Sequence, residues 1–437
     1  MTASPKSGAG SSFPRAELDR RLEAVRSRMA QRNLDACLVA APENIYYLTG
    51  LEHQGYFAYE LLVIPARGEP ILVTRGMERA TVQDQIPWVR HLGYSDGVES
   101  LPPPRDREED MVMADRDSSG RGVGLRPWEM SYGVAVRGPV ADSADDAIRT
   151  TIQAVREAGV EKGRLGLEAK ATFLPFHIAE RVISKLADAG WEDCSGLVDD
   201  CRIVQSPLEQ ETTRKAAEVS DAMMLAAIAA AGPGMPEHDV MAAVYDALFR
   251  RGGTYPGFIP LVRSTRTLEH EHGTWGDGRL RRGDLLFLEM SGCVRRYHAP
   301  LGRLVFIGKQ SPRARRAHEA CREAMHRAAR AIGPGAAADE VYRAWESAVR
   351  EAGFGSYTRH HCGYSVGIGF PPSWSGSGTP RGLRKGSDLK LQEGMVFHLM
   401  SWLLRTGRGD AFLSDTILIT GSGSEFLTRV PQDILVR

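Results

Sequence analysis

Two matching segments, 101 residues apart, constrain this chain more than any other feature. Ser206-Pro207 opens a helical run that stops at Gly232-Pro233-Gly234, and Ser311-Pro312 opens another that stops at Gly333-Pro334-Gly335. Serine at the N-cap with proline at the first helical position is a strong start signal. In the first copy Glu209 completes an S-x-x-E capping box. Behind each stop comes a second amphipathic run, PEHDVMAAVYDALFRRGG and AADEVYRAWESAVREAGF. Gly232, Gly234, Val240 and Gly252 fall on Gly333, Gly335, Val341 and Gly353 at one constant offset. Each copy then continues into strands. Two equal α–β halves predict a pseudo-twofold domain with its site where the halves meet.

The front of the chain reads differently. Leu18, Leu22, Val25 and Met29 give residues 15–32 one apolar helical stripe. LDACLVAA (34–41) follows as a buried strand, then a tyrosine-rich loop, then LLVIP (61–65) and EPILVT (69–74) around a turn at Ala66 to Gly68. Residues 143–158 and 174–190 read as helices, whereas 100–125, rich in proline, glycine and charge, reads as a surface insertion or loop. The expected class is α/β (α+β): a small N-terminal α/β domain at 15–200 and the duplicated domain at 201–437, preceded by a small-residue tail at 1–14.

Charge excludes some functions. The 55 basic and 55 acidic residues cancel, so neither nucleic acid nor an acidic membrane surface is an expected partner. The six cysteines are scattered without a CxxC pair, which suits reduced thiols in the cytoplasm. No run approaches the roughly 20 apolar residues of a membrane helix.

Four segments carry a family likeness: GDLLFLEMSGCVRRYHAPLGR, EHGTW, GYSVGIGFPPSW and GMVFHLM. Together with the domain order they resemble the creatinase, prolidase and aminopeptidase P superfamily over about residues 15 to 430. The resemblance implies a creatinase-type N-terminal domain, a pita-bread catalytic domain and a homodimer. Metal-dependent members hold two ions with two aspartates, one histidine and two glutamates. The resemblance places those positions on Glu289, Pro300, Tyr364, Met400 and Ser414. One of the five keeps a carboxylate, too few donors for a divalent ion, so neither metal nor another cofactor is expected. The segments resemble the metal-free ectoine hydrolase branch, which opens a cyclic amidine ring. Creatinase, acting on a guanidino group, is a metal-free cousin, but two carboxylates of its pattern fall on Gly302 and Met400. Ectoine hydrolases carry a Trp-containing run after the first-domain TG, where this chain has TGLEHQGYFAYE with His53 and Tyr56.

Such substrates share a carboxylate and a planar, cationic C–N centre. Glu289 interrupts the apolar strand LLFLEM, and a buried carboxylate is costly unless satisfied. The resemblance makes it the group for the cation, as base or as nucleophile; an ion pair with an arginine such as Arg303 is the structural alternative. His272, with the spacing of a histidine the superfamily keeps, and His298 are the expected acid–base partners. Trp275, Tyr297, Tyr364, His398, Trp374 and Trp402 are candidate pocket walls, with His53 and Tyr56 reaching in from the first-domain loop. The expected function is a metal-independent hydrolase of a non-peptide C–N bond in a small amidine or guanidino substrate. A metal-dependent Xaa-Pro dipeptidase and a non-catalytic binding protein are the alternatives.

Overall fold

The computed structural model describes residues 13–95, 113–116, 122–124, 143–376, 380–407 and 409–437. It divides into two compact units, Met1–Val198 and Asp199–Arg437. The tail expected at 1–14 lies outside the described residues except for Phe13 and Pro14. The 100–125 insertion does so too, apart from the backbone of two short paired strands inside it, Met113–Arg116 and Gly122–Gly124.

The first unit is a mixed sheet. Its strands are β1 (Ala36–Val39), β2 (Leu61–Pro65), β3 (Ile71–Arg75) and β4 (Arg90–Tyr94). The ribbon strands count as β5 and β6, and β7 (Arg164–Leu167) and β8 (Gly190–Asp193) follow. The order is β4-β3-β2-β1-β7-β8. The hairpin expected at Ala66 to Gly68 joins β2 and β3 antiparallel, with Gly68 at φ 95°, a conformation that glycine adopts without strain. Ile148, Ile152 and Val155 of helix Ser143–Glu157 pack on Leu61, Val63 and Val73 of the sheet.

The second unit carries the repeat. Helices Pro207–Ala230 and Glu237–Arg250 form one pair, and Pro312–Ala331 and Ala338–Val349 the other. Ser206 accepts a bond from Glu209 N, and the Glu209 carboxylate accepts one from Ser206 N at 2.9 Å, closing the box. Ser311 caps the second copy through Ala314 N at 3.1 Å. Gly234 and Gly335 sit at φ 88° and 86°, and Gly252 and Gly353 at 77° and 89°. The repeat is therefore one of backbone conformation as well as of letters, and a Cβ at any of these four sites would be strained.

The strands of this unit are β9 (Leu261–Ser264), β10 (Leu285–Val294), β11 (Tyr297–Phe306), β12 (Gly363–Ser365), β13 (Val396–Leu403) and β14 (Ala411–Thr420), with short β15 (Gly423–Phe426) on β14 and β16 (Leu435–Val436) on β11. The first six run in the order β12-β13-β14-β11-β10-β9, the two halves meeting where β11 pairs with β14. Alternation decides what each face does. Leu286, Leu288, Met290, Leu301 and Val305 point to the first helix pair. Phe397, Leu399, Leu403, Leu413 and Ile417 point to the second. The residues between them occupy the opposite face of the sheet.

A buried ion pair locks the seam. Arg303 donates to Asp415 Oδ1 at 3.0 Å, to the carbonyls of Ser414 and Gly302, both at 2.8 Å, and to Val430 and Pro431. Thr428 and Gln432 fill the remaining Asp415 sites. Arg303 is thus spent on Asp415 and not on Glu289. Asp415→Ala should leave Arg303 buried without its counter-charge and cost about 3–5 kcal/mol, readable as a lower urea midpoint at unchanged slope.

Candidate active site

The sheet face turned away from the helices is organised in rows of directly opposed residues. One row runs Glu289, Gly302, Ser414, Met400 across β10, β11, β14 and β13. The adjacent row holds Ser291, Pro300, Thr416, His398 and Tyr364, with Thr416 Oγ1 donating to the Pro300 carbonyl at 2.8 Å. All five positions assigned from the family's metal-binding pattern therefore lie on one patch. Their chemistry does not suit a two-ion site: proline, methionine, tyrosine and serine stand where oxygen and nitrogen ligands would be needed. Among the described residues no group of three or more His, Cys, Asp or Glu could hold a metal ion.

Glu289 is 5% exposed. Burial pushes its carboxyl up to about 7, against the pull of Arg263 and Arg359 and with a further push from Glu271. Its Oε1 lies 3.8 Å from His398 Nε2, beyond hydrogen-bond length. His398 is fixed from both sides: Nε2 is 2.8 Å from Ser414 Oγ, and Nδ1 is 3.2 Å from the Tyr364 hydroxyl. Trp374 Nε1 donates to that hydroxyl at 3.0 Å. Indole N–H can only donate, so the consistent assignment has Tyr364 donating onward to Nδ1. The imidazole proton then sits on Nε2, toward Ser414 and Glu289. Burial holds His398 at about 3 and pushes the Tyr364 phenol up, so both stay neutral. They form a preset polar relay beside one titratable acid.

Aromatic rings wall this patch. His272 meets Phe258 edge-on at 5.9 Å, Phe258 meets Trp374 at 5.0 Å, and Trp374 meets His398 at 6.0 Å. His272 itself is exposed. It therefore joins the patch from the solvent side, at the end of a ring-to-ring chain. On the Arg263 side, Phe287, Trp402 and Phe412 pack together, with Phe287 and Phe412 stacked at 4.6 Å and Trp402 edge-on to Phe412 at 4.7 Å. Gly302 makes this possible, since a Cβ there would come within 2.1 Å of Phe412.

Several sequence expectations take a different form. His298 is buried, with Nε2 accepting from Gly257 N at 2.7 Å and Nδ1 3.3 Å from the Gly367 carbonyl. Both ring nitrogens are committed to backbone, and burial holds the imidazole at about 3, which removes it as a proton donor to substrate. Tyr297 points to the helix side and donates to Glu209 Oε1 at 2.7 Å, tying β11 to the capping box. Trp275 packs against the cluster under the first helix pair, away from the patch. Strand parity turns Tyr297 to the helix side, and backbone partners on both ring nitrogens hold His298. His53 lies in the other unit, 3.0 Å from Glu60 and 3.4 Å from Glu78. Burial works against its charge, but those two carboxylates raise it to about 9. Tyr56 packs edge-on against Phe173 at 5.3 Å. Phe258, Phe287, Arg263 and Arg359 join the site without a motif to announce them. Parity with Glu289 along β9 and β10 marks Arg263 and Phe287, whereas nothing local marks Arg359.

Comparison with known proteins follows the two units. The Creatinase/Prolidase N-terminal domain model matches residues 21–204, and the Metallopeptidase family M24 model matches 211–421. The ectoine hydrolase of Halomonas elongata is 26% identical, covering 97% of this chain and 98% of that protein. The Xaa-Pro dipeptidase of Pyrococcus horikoshii is 24% identical over 93% and 96%. The crystal structure of the prolidase from that organism superposes with a TM-score of 0.73 at 21% identity, covering 95% of this chain and 100% of its own. With both modules matched in order, the chain belongs to the creatinase/prolidase superfamily of hydrolases, an N-terminal creatinase-type domain joined to an M24 pita-bread domain.

Proposed function

We propose that this hydrolase acts without a metal on a non-peptide C–N bond in a small cyclic amidine or guanidino compound, in the manner of ectoine ring opening. The observation that carries the reading is Glu289: one buried carboxyl, raised toward neutrality, on a face whose other ligand positions have become proline, methionine, tyrosine and serine. A planar cation placed against it relieves the cost of its burial. The 26% likeness to an ectoine hydrolase along the full chain supports the same substrate class. An Xaa-Pro dipeptidase would need the donors this face lacks.

The chemistry needs three things from the chain. The carboxylate of Glu289 either takes a proton from the water that attacks the central carbon of the cation, or attacks that carbon itself, in which case water cleaves the covalent intermediate after the C–N bond breaks and frees the carboxylate. The C–N bond then breaks, and its nitrogen leaves with the bonding pair and one proton. His272, exposed beside Phe258 at the end of the ring-to-ring chain, is the group placed to bring that proton in. His398, held neutral with Nε2–H toward Glu289, positions the reacting centre by hydrogen bonding. The aromatic walls keep bulk water from the cation.

Three outcomes test this. Chelator-treated protein, screened against cyclic amidines and guanidines by mass spectrometry, should turn over one of them; stoichiometric zinc, manganese or cobalt whose removal ends turnover would sink the reading. In the active pH range kcat/KM should rise with pH through an apparent value near 7, as Glu289 ionises, and Glu289→Gln should lose turnover by a factor of about 1,000 or more. The same variant should be more stable than the parent at pH 8. A carboxyl whose folded value is raised binds its proton more tightly in the native state, so stability is lost as pH climbs from the ordinary carboxyl range through 7. Removing the charge should regain up to about 3 kcal/mol at pH 8 and nothing at pH 4, measured by thermal unfolding at both pH values.

A further inference from the structure

Buried donors in a finished protein interior have acceptors. Near Glu289 several do not. Arg263 is 1% exposed, and its Nη1 donates to the carbonyls of Leu268 and His270. Its Nε and Nη2 have no hydrogen-bond partner. Arg359, half-buried, likewise has a buried Nε without a partner, and its side chain also bonds to Tyr357. His361 Nδ1 is a fourth such atom, on a ring 5.6 Å from Tyr364.

The two guanidinium groups share one platform. Arg263 lies over Phe287 at 4.0 Å and Arg359 over Trp402 at 4.3 Å, and those two rings are 5.3 Å apart. Stacking on aromatic faces holds each planar fork in place while leaving its edge open. Two neighbouring cations that give up water are stable where an anion returns the bonds. Glu289 acts on both at range, but it leaves the unpartnered Arg263 and Arg359 nitrogens without a bond.

We infer that Arg263 and Arg359 form a carboxylate-binding subsite, so that the substrate of this site is a small zwitterion with its anionic end on the two arginines and its cationic C–N centre on Glu289. The cationic half rests on the proposed function; the anionic half stands on the arginines alone. A planar carboxylate matches the open guanidinium edges in pairs. The arginines are binding residues in this scheme and take no part in bond making, so their loss should appear in KM far more than in kcat.

Calorimetry on the full-length protein tests it with three probes: tetrahydropyrimidine-4-carboxylate, the same amidine ring without the carboxylate, and cyclohexanecarboxylate. The wild type should bind the carboxylated amidine about 10- to 100-fold more tightly than the bare ring, the range expected for charged hydrogen bonds. Arg359→Gln and Arg263→Lys should each erase most of that difference and weaken cyclohexanecarboxylate in parallel. If Arg263→Lys fails to fold, the half-buried Arg359 variant carries the test. Equal binding of the two rings by the wild type, an undiminished preference in the variants, or no carboxylate binding at all would overturn the subsite. Arginine-dependent carboxylate binding with neither ring opened would uphold the subsite and sink the proposed reaction.

Discussion

The join between β11 and β14 governs everything at this site. Without it the two α–β halves would carry separate half-sheets, and Glu289 would never face His398. Arg303 and Asp415 secure the join from one side of the sheet, drawing the carbonyls of Gly302 and Ser414 and the C-terminal segment into a single network. All polar capacity of that network is used internally. Strand alternation places Glu289 and Arg263 on the other face, where Arg263 keeps nitrogens without a hydrogen-bond partner.

Sequence made the architecture readable because the repeat is written in caps and stops. Serine, proline and glycine at those positions answer local backbone demands that hold whatever packs around them. Glu289 was legible for a similar reason, as a carboxylate interrupting an apolar strand. Side-chain roles one step further from the backbone were not. His298 and Tyr297 sit in a segment that lies on the sheet beside the site, yet the Gly257 N–H and the Glu209 carboxylate claim them. Those partners are 41 and 88 residues away in sequence, and no pattern of spacing announces them. Arg359 belongs to the same class: its relation to Trp402 exists only after β12 and β13 have paired.

The patch keeps the geometry of the fold's ligand positions while carrying different side chains on them. Ion ligands must converge on a point, and the pita-bread sheet brings five positions together for that purpose. With one carboxylate retained, the same convergence places a single acid beside a neutral imidazole, a phenol and an indole. Burial keeps the imidazole and the phenol neutral, and the indole carries no titrating group, which leaves the acid as the group in the patch whose charge responds to pH or to a ligand. The electrostatic asymmetry of the site comes from that contrast.

Gly302 sets a limit on what this strand can carry. Its missing side chain is what lets Phe287 and Phe412 meet across β11. Any side chain added there, including the carboxylate that the creatinase pattern has at this position, runs into the Phe412 ring. Displacing that ring would disturb Phe287 and with it the platform under Arg263. What looks like empty space is therefore part of the wall, and the cost of filling it falls on a neighbour two strands away.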